Sequence, residues 1–248
     1  MTLVFESVVD FMPRIDKMTP QRLDSALFGM GCSFESEPRF GIAKGVWRTT
    51  LGYSGGRYES PSYENLGDHA EVIMVEYDPL ALSYGQLLDI FFNRCDCRGN
   101  SPPHCISHVF VKNEFEKRLA QAAVARYKLR FSKSGYVKIA MHKTFYKAEQ
   151  WRQKRFLRMI PPLMDELRRM YPDEDRLIQS TLATRLNGIL GQRSSQGLSF
   201  PFLPEDVTLY DLSDSAAGIL KNAMGLPVKK VTRTKRIEIT FAPRKVEL

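Results

Sequence analysis

The order of short apolar runs constrains this chain more than any other feature of its sequence. Residues 26–31 are small and apolar and end on a glycine, which reads as a buried strand. Residues 33–43 read as a helix opened by Ser33, with Glu35 and Glu37 in its first turn. Pro38 is tolerable there because it lies early in the helix. Residues 46–53 form a second strand pattern that ends at Ser54-Gly55-Gly56, and a polar loop covers 57–68. Residues 72–77 make a strong third strand closed by Asp78-Pro79. Residues 83–93 are helical, with Leu87, Leu88, Phe91 and Phe92 on one face, and residues 107–111 give another strand. The resulting order, β-α-β-β-α-β, is the split pattern of a ferredoxin-like unit, so the expected class is α+β.

Downstream, residues 114–131 read as a long amphipathic helix, 136–141 as a strand, and 145–157 as a helix running up to a break at Pro161-Pro162. One helix is expected over 163–170 and another over 173–190, followed by a linker from Gln192. The expected organisation is an N-terminal extension at 1–24, a two-layer α+β domain at 25–160, and a C-terminal extension at 161–248, helical and then basic. A chain of 248 residues holds one sizeable core with such extensions. No stretch approaches the roughly 18–20 apolar residues that span a bilayer, and the first residues do not read as a signal or transit peptide, so no membrane association and a cytoplasmic location are expected. The net charge of +8 is concentrated at the end: residues 221–248 hold eight Lys or Arg against two Glu. Such a tail is either a solvated terminus or a contact for an acidic partner or nucleic acid.

The chain has four cysteines, Cys32, Cys95, Cys97 and Cys105. In a cytoplasmic chain of this length catalytic, metal-binding or plain structural roles come before disulfide staples. Cys32 follows a glycine at the end of a predicted strand and opens a predicted helix. Unpaired N–H groups and the partial positive charge at a helix start favour a thiolate, which suits covalent catalysis; the alternative is a buried structural thiol. A second alternative concerns Cys95, Cys97, His104, Cys105 and His108, ligand types that zinc accepts, although Cys-x-Cys is less usual than Cys-x₂-Cys. His69 reads as a turn-positioning residue, and Trp47 and Trp151 as core or partly buried packing.

The neighbours of Cys32 sharpen this picture. Gly31-Cys32-Ser33-Phe34-Glu35-Ser36-Glu37 resembles the Gly-Cys-Phe-Trp-Gly-x-Glu motif of type A methionine sulfoxide reductases. Gly52-Tyr53-Ser54-Gly55-Gly56, Ser62-Tyr63-Glu64, Asp68-His69-Ala70-Glu71-Val72, Tyr77-Asp78-Pro79, Ser83-Tyr84-Gly85-Gln86-Leu87-Leu88 and Phe145-Tyr146-Lys147-Ala148-Glu149 resemble further motifs of that family, in its order and close to its spacing. The resemblance covers about residues 25–157. It implies a two-layer fold around the split β-α-β core and thiol-dependent reduction of methionine-S-sulfoxide, free or in proteins. It further implies Cys32 as nucleophile and Glu71 as the acid that protonates the sulfoxide oxygen, a role suited to a buried carboxyl of raised pKa. Tyr63 would hydrogen-bond that oxygen, and Tyr53 would line the pocket. Cys32 would be left as a sulfenic acid, condense with a second thiol, and be restored by a reductant such as thioredoxin. No organic or metal cofactor is implied.

The chain departs from the family pattern at several points. Ser33-Phe34 replaces the Phe-Trp pair that holds the substrate methyl group; Phe34 supplies a smaller wall and Ser33 no aromatic face. Residues 98–107 align with the second active-site loop, where Asn100 replaces an aspartate and Cys105 a tyrosine. Cys95-Asp96-Cys97 stands in place of His-Asp-Pro, and no cysteine follows Cys105. These changes point to a resolving thiol moved into the active-site loop: Cys105 first, with Cys97 or Cys95 as alternatives or relays. They also keep open a non-enzymatic binding module or a thiol redox sensor built on the same fold.

Overall fold

The computed structural model describes residues 12–31, 33–93, 107–131, 137–192 and 206–224. The elements run α1 (Arg14–Lys17), β1 (Asp24–Gly29), α2 (Ser33–Gly41), β2 (Val46–Ser54), β3 (Ala70–Tyr77), α3 (Tyr84–Phe92), β4 (Ser107–Val111), α4 (Glu114–Phe131), β5 (Val137–Met141), β6 (Tyr146–Lys147), α5 (Arg155–Arg158), α6 (Pro161–Met170), α7 (Glu174–Gln179), α8 (Thr181–Gln192) and α9 (Asp214–Ala223). The six strands form one sheet in the order β5-β4-β1-β3-β2-β6. Its central four, β4-β1-β3-β2, pair antiparallel, as the split pattern requires. β5 is added parallel to β4 through the α4 crossover, and β6 is added antiparallel to β2. The α+β class read from the element order is the observed one.

Period-two alternation explains why both sheet faces are buried. Ala26 and Phe28, Ile73 and Val75, and Val109 and Val111 belong to the large core with Phe40, Leu87, Leu88 and Phe91. The intervening Leu27, Val72 and Phe110 belong to a smaller cluster on the opposite face. Phe28 stacks on Phe40 and on Phe91, each at 5.3 Å between ring centroids, which ties β1 to α2 and α3. Helix α3 starts at a capping box, with Ser83 Oγ accepting from the Gln86 N–H and the Gln86 side chain accepting from the Ser83 N–H.

A further core joins α1, α5, α6, α7, α8 and α9 and includes Ile15, Leu163, Leu167, Leu182, Leu186 and Leu220. It meets the sheet domain where α2 packs on α8, and Ile42, directly after α2, belongs to this core. The two helices approach so closely that a Cβ on Gly41 would lie 2.6 Å from the Thr184 carbonyl oxygen. No helix among the described residues is long and apolar enough to cross a membrane.

Three segments differ from the sequence expectation. Residues 145–157 are not one helix: β6 pairs with Gly52 and Tyr53 of β2, a 3-10 turn covers Gln150–Arg152, and α5 follows only after Lys154 in the left-handed region. Edge pairing with β2 outcompetes a helical pattern of modest length. Pro161 does not end a structure but begins α6, where its missing N–H costs nothing. Residues 173–190 hold two helices divided at Ser180. Its Oγ accepts from the Ala183 N–H, and Asp16 Oδ1 accepts from the Thr181 and Leu182 N–H groups, so α8 is capped partly by α1.

Candidate active site

Tyr53 and Glu71 are register partners at the end of the β2–β3 ladder. The end of β1 lies beside them: a Cβ on Gly29 would sit 3.2 Å from the Glu71 carbonyl oxygen. From there the chain turns at Gly31, whose φ of 77° is the left-handed region glycine favours, toward the start of α2 at Ser33. Cys32 itself lies outside the described residues, as do Cys95, Cys97, Asn100, His104 and Cys105; the side chains of Ser33 and Phe34 are likewise not described. Of the proposed zinc ligands only His108 is described; it is buried and stacked on Phe110. Among the described residues no group of three His, Cys, Asp or Glu could hold a metal ion.

The nominated side chains that are described converge on one short segment, residues 149–152. Glu149 Oε2 accepts from the Tyr53 hydroxyl at 2.7 Å, and its Oε1 accepts from the Tyr63 N–H at 2.9 Å. Arg152 donates from Nη2 to Glu71 Oε2 at 2.8 Å, and its guanidinium carbon lies 4.1 Å from the centroid of the Tyr63 ring. Trp151 meets that ring edge-on at 5.4 Å. Tyr53 and Arg152 are buried at 1% exposure, whereas Tyr63 is 46% and Trp151 56% exposed, so the cluster opens to solvent on the Tyr63 side. The Tyr63 hydroxyl makes no hydrogen bond to another described residue.

The charges follow from these contacts. Burial and the bond to Glu149 hold the Tyr53 phenol far above its ordinary value, so Tyr53 is a fixed donor. Burial pushes the Glu149 carboxyl upward, but the Tyr63 N–H, the Tyr53 hydroxyl and the Arg152 charge together outweigh it, and the net shift is downward. The Glu71 carboxyl is mostly buried, at 12% side-chain exposure, and is ion-paired with Arg152.

The loop that carries Tyr63 is pinned at its base. The Gly56 N–H donates to His69 Nδ1, and His69 Nε2 lies 2.7 Å from the Tyr58 carbonyl oxygen, so this ring carries its proton on Nε2. His69 therefore positions the turn, as expected. Below the cluster, Lys154 is fully buried. It donates from Nζ to Glu37 Oε1 at 2.5 Å and to Thr49 O and Oγ1, while its own N–H donates to Glu37 Oε2. Asn187 of α8 donates to the same Oε2. Burial pulls the Lys154 ammonium below its ordinary value, and Glu37 opposes that shift.

Comparison with known proteins gives this arrangement a context. The family model for peptide methionine sulfoxide reductase matches residues 24–181. The chain belongs to the peptide methionine sulfoxide reductase family. It is 41% identical over 182 residues to peptide methionine sulfoxide reductase A5 of Arabidopsis thaliana, covering 68% of this chain and 69% of that protein. It is 35% identical over 170 residues to peptide methionine sulfoxide reductase of Drosophila melanogaster, covering 67% and 68%. Among solved structures, Mxr1 from Saccharomyces cerevisiae in reduced form superposes with a TM-score of 0.51 at 21% identity, over 58% of this chain and 88% of that one, a likeness of fold.

As a member of this reductase family the chain is an oxidoreductase, and the motif reading that named the family is upheld. The family match runs past the expected boundary at 160 and ends at the start of α8. The sequence reading missed the segment that assembles the cluster. Glu149 lay within a quoted motif without a role, Arg152 had none, and Trp151 was read as core or partly buried although it is exposed. The available signal was the glutamate that ends Phe145-Tyr146-Lys147-Ala148-Glu149, followed three positions on by an arginine with an aromatic beside it. A cavity of about 510 Å³ lies elsewhere, lined by Asp16, Arg48, Tyr171 and Arg176 among others, and no nominated residue borders it.

Proposed function

We propose that this reductase acts on the S epimer of methionine sulfoxide, free or in proteins, through Cys32. The Cys32 thiolate attacks the sulfoxide sulfur. The oxygen takes a proton from Glu71 while the Tyr63 hydroxyl donates a hydrogen bond to it. As the sulfur–oxygen bond breaks, hydroxyl passes to the Cys32 sulfur, and the sulfur–sulfur bond made by the attack breaks with its electron pair on the substrate sulfur, which leaves methionine and a Cys32 sulfenic acid. Cys105, or Cys97 or Cys95, then attacks the sulfenic acid, releasing water and forming a disulfide that a thiol reductant such as thioredoxin returns to two thiols. That chemistry suits a reducing compartment such as the cytoplasm.

The observation that carries the reading is the convergence of Tyr53, Tyr63 and Glu71 on one partly open cluster in a chain of this family. The Tyr63 hydroxyl, with no hydrogen bond to another described residue, is a donor suited to an oxygen that gains charge, and Glu71 is placed to pass on a proton once its carboxylate has taken one up. The test is single-turnover reduction of a methionine-S-sulfoxide peptide by the fully reduced protein, with no added reductant. Product from the S epimer alone, abolished by Cys32→Ser, is expected. No product from folded protein with a titratable Cys32 thiol would overturn the reading.

A further inference from the structure

We infer that Arg152 is the positioning residue of this site, a single guanidinium that fixes both groups assigned to the sulfoxide oxygen; this rests on the function proposed above. One edge of the guanidinium holds the Glu71 carboxylate at 2.8 Å. One face lies over the Tyr63 ring, 4.1 Å from its centroid. Arginine offers a planar donor edge and a flat cationic face at once. Lysine would be a compact point charge with no flat face to lay over the tyrosine ring.

The placement of Arg152 is itself rigid. It ends the 3-10 turn Gln150–Arg152, and its side chain is 2% exposed. The next residue, Gln153, accepts from the Leu51 N–H and donates to the Leu51 and Ala148 carbonyls, locking the segment onto β2. Lys154 then anchors to Glu37 and Thr49 in the interior. At the other end Glu149 fixes the Tyr63 backbone, so Tyr63 is held at its N–H by Glu149 and at its ring by Arg152. Glu71 and Tyr63 come from a strand and a loop, and among the described residues Arg152 touches both.

The experiment compares Arg152→Met, Arg152→Lys, Glu71→Gln and the double variant Arg152→Met/Glu71→Gln in the full chain, by turnover of a methionine-S-sulfoxide peptide. Arg152→Met is expected to lower kcat by about 100-fold, with KM changed far less, because misplacement of reacting groups by an ångström costs on that order. Arg152→Lys should recover part of the loss. The double variant should be no slower than Glu71→Gln, because the two residues act as a unit. A wild-type kcat for Arg152→Met, or losses that multiply in the double variant, would overturn the inference. Acrylamide quenching of Trp151 fluorescence in a Trp47→Phe background supplies a readout that needs neither turnover nor Glu71. It should rise in Arg152→Met and Arg152→Lys if the guanidinium tethers the Tyr63–Trp151 pair, and unchanged quenching would refute the tether. An inert wild-type protein would sink the function proposed above, with the quenching result still deciding the tether.

Discussion

Two ion pairs leave the same short segment, two residues apart, and face opposite surroundings. Lys154–Glu37 is sealed: the two side chains are 0% and 2% exposed, and Thr49, Asn187 and the Lys154 N–H fill out the glutamate's oxygens. Arg152–Glu71 sits at the rim, beside a half-exposed tyrosine and tryptophan. The sealed pair joins α2, β2, the 149–154 segment and α8 and has no face left for a ligand. The rim pair joins β3 to the Tyr63 loop and leaves a phenol toward solvent. The difference separates scaffold from site: a buried charge with all its bonds made inside the protein holds elements together, while a charge at an opening holds reactive groups in place.

That contrast is most easily broken by removing one glutamate from each pair. Glu37→Gln leaves the fully buried Lys154 without a counter-charge and should cost about 3–5 kcal/mol of stability, read from urea unfolding. Adding Lys154→Met should recover part of this, because the glutamine oxygen can still accept from the backbone N–H at 154. Glu71→Gln should behave oppositely: stability falls by only about 1.5–3 kcal/mol, while kcat drops by roughly 10²–10⁴-fold as the proton donor is lost. Equal destabilisation by the two substitutions, or a wild-type kcat for Glu71→Gln, would erase the distinction.

A smaller effect distinguishes the rim through pH. Glu149 titrates below its ordinary value of 4.5 in the folded chain. A carboxylate with a depressed folded value binds fewer protons when folded, so its contribution is present above the unfolded value and is lost as pH falls through the folded one. Glu149→Gln should therefore cost about 1 kcal/mol at neutral pH through one lost hydrogen bond, and less below pH 4.5. Unfolding curves of both proteins between neutral pH and the onset of acid unfolding should converge; parallel curves would show that Glu149 does not carry this charge.

Much of the fold was legible because it is written in local pattern. The apolar runs at 26–31 and 72–77, and the apolar face of Leu87, Leu88, Phe91 and Phe92, each dictate one element, and their order dictates the sheet. Glu114–Phe131 appears as the helix its pattern announces. Residues 145–157 were misread because their conformation is set from outside: by the free edge of β2 at Gly52 and Tyr53, and by Glu37, over a hundred positions earlier, which binds Lys154 in its left-handed conformation. The same distance hid part of the site. Glu71 and Tyr63 could be nominated from motifs, but Arg152, 81 positions from Glu71, looks like any surface arginine until the chain is folded.

The smallest expected effect tests how far the site extends along the surface. Trp151 is 56% exposed; its ring meets Tyr63 edge-on, and the Arg152 guanidinium carbon lies 5.7 Å from its centroid. Removing it exposes little core, so Trp151→Ala should change stability by no more than about 0.5–1.5 kcal/mol, the range of a lost aromatic pair. Its consequence should instead appear as a split between substrates. Free methionine sulfoxide has no flanking residue to reach the Tyr63–Trp151 rim, so its KM should hardly move. A peptide with an aromatic residue beside the sulfoxide can rest on that rim, and loss of the contact should raise its KM by about five-fold, the equivalent of roughly 1 kcal/mol. An equal change for both substrates would mean that Trp151 acts only by steadying Tyr63, and the boundary of the site would then fall at the tyrosine.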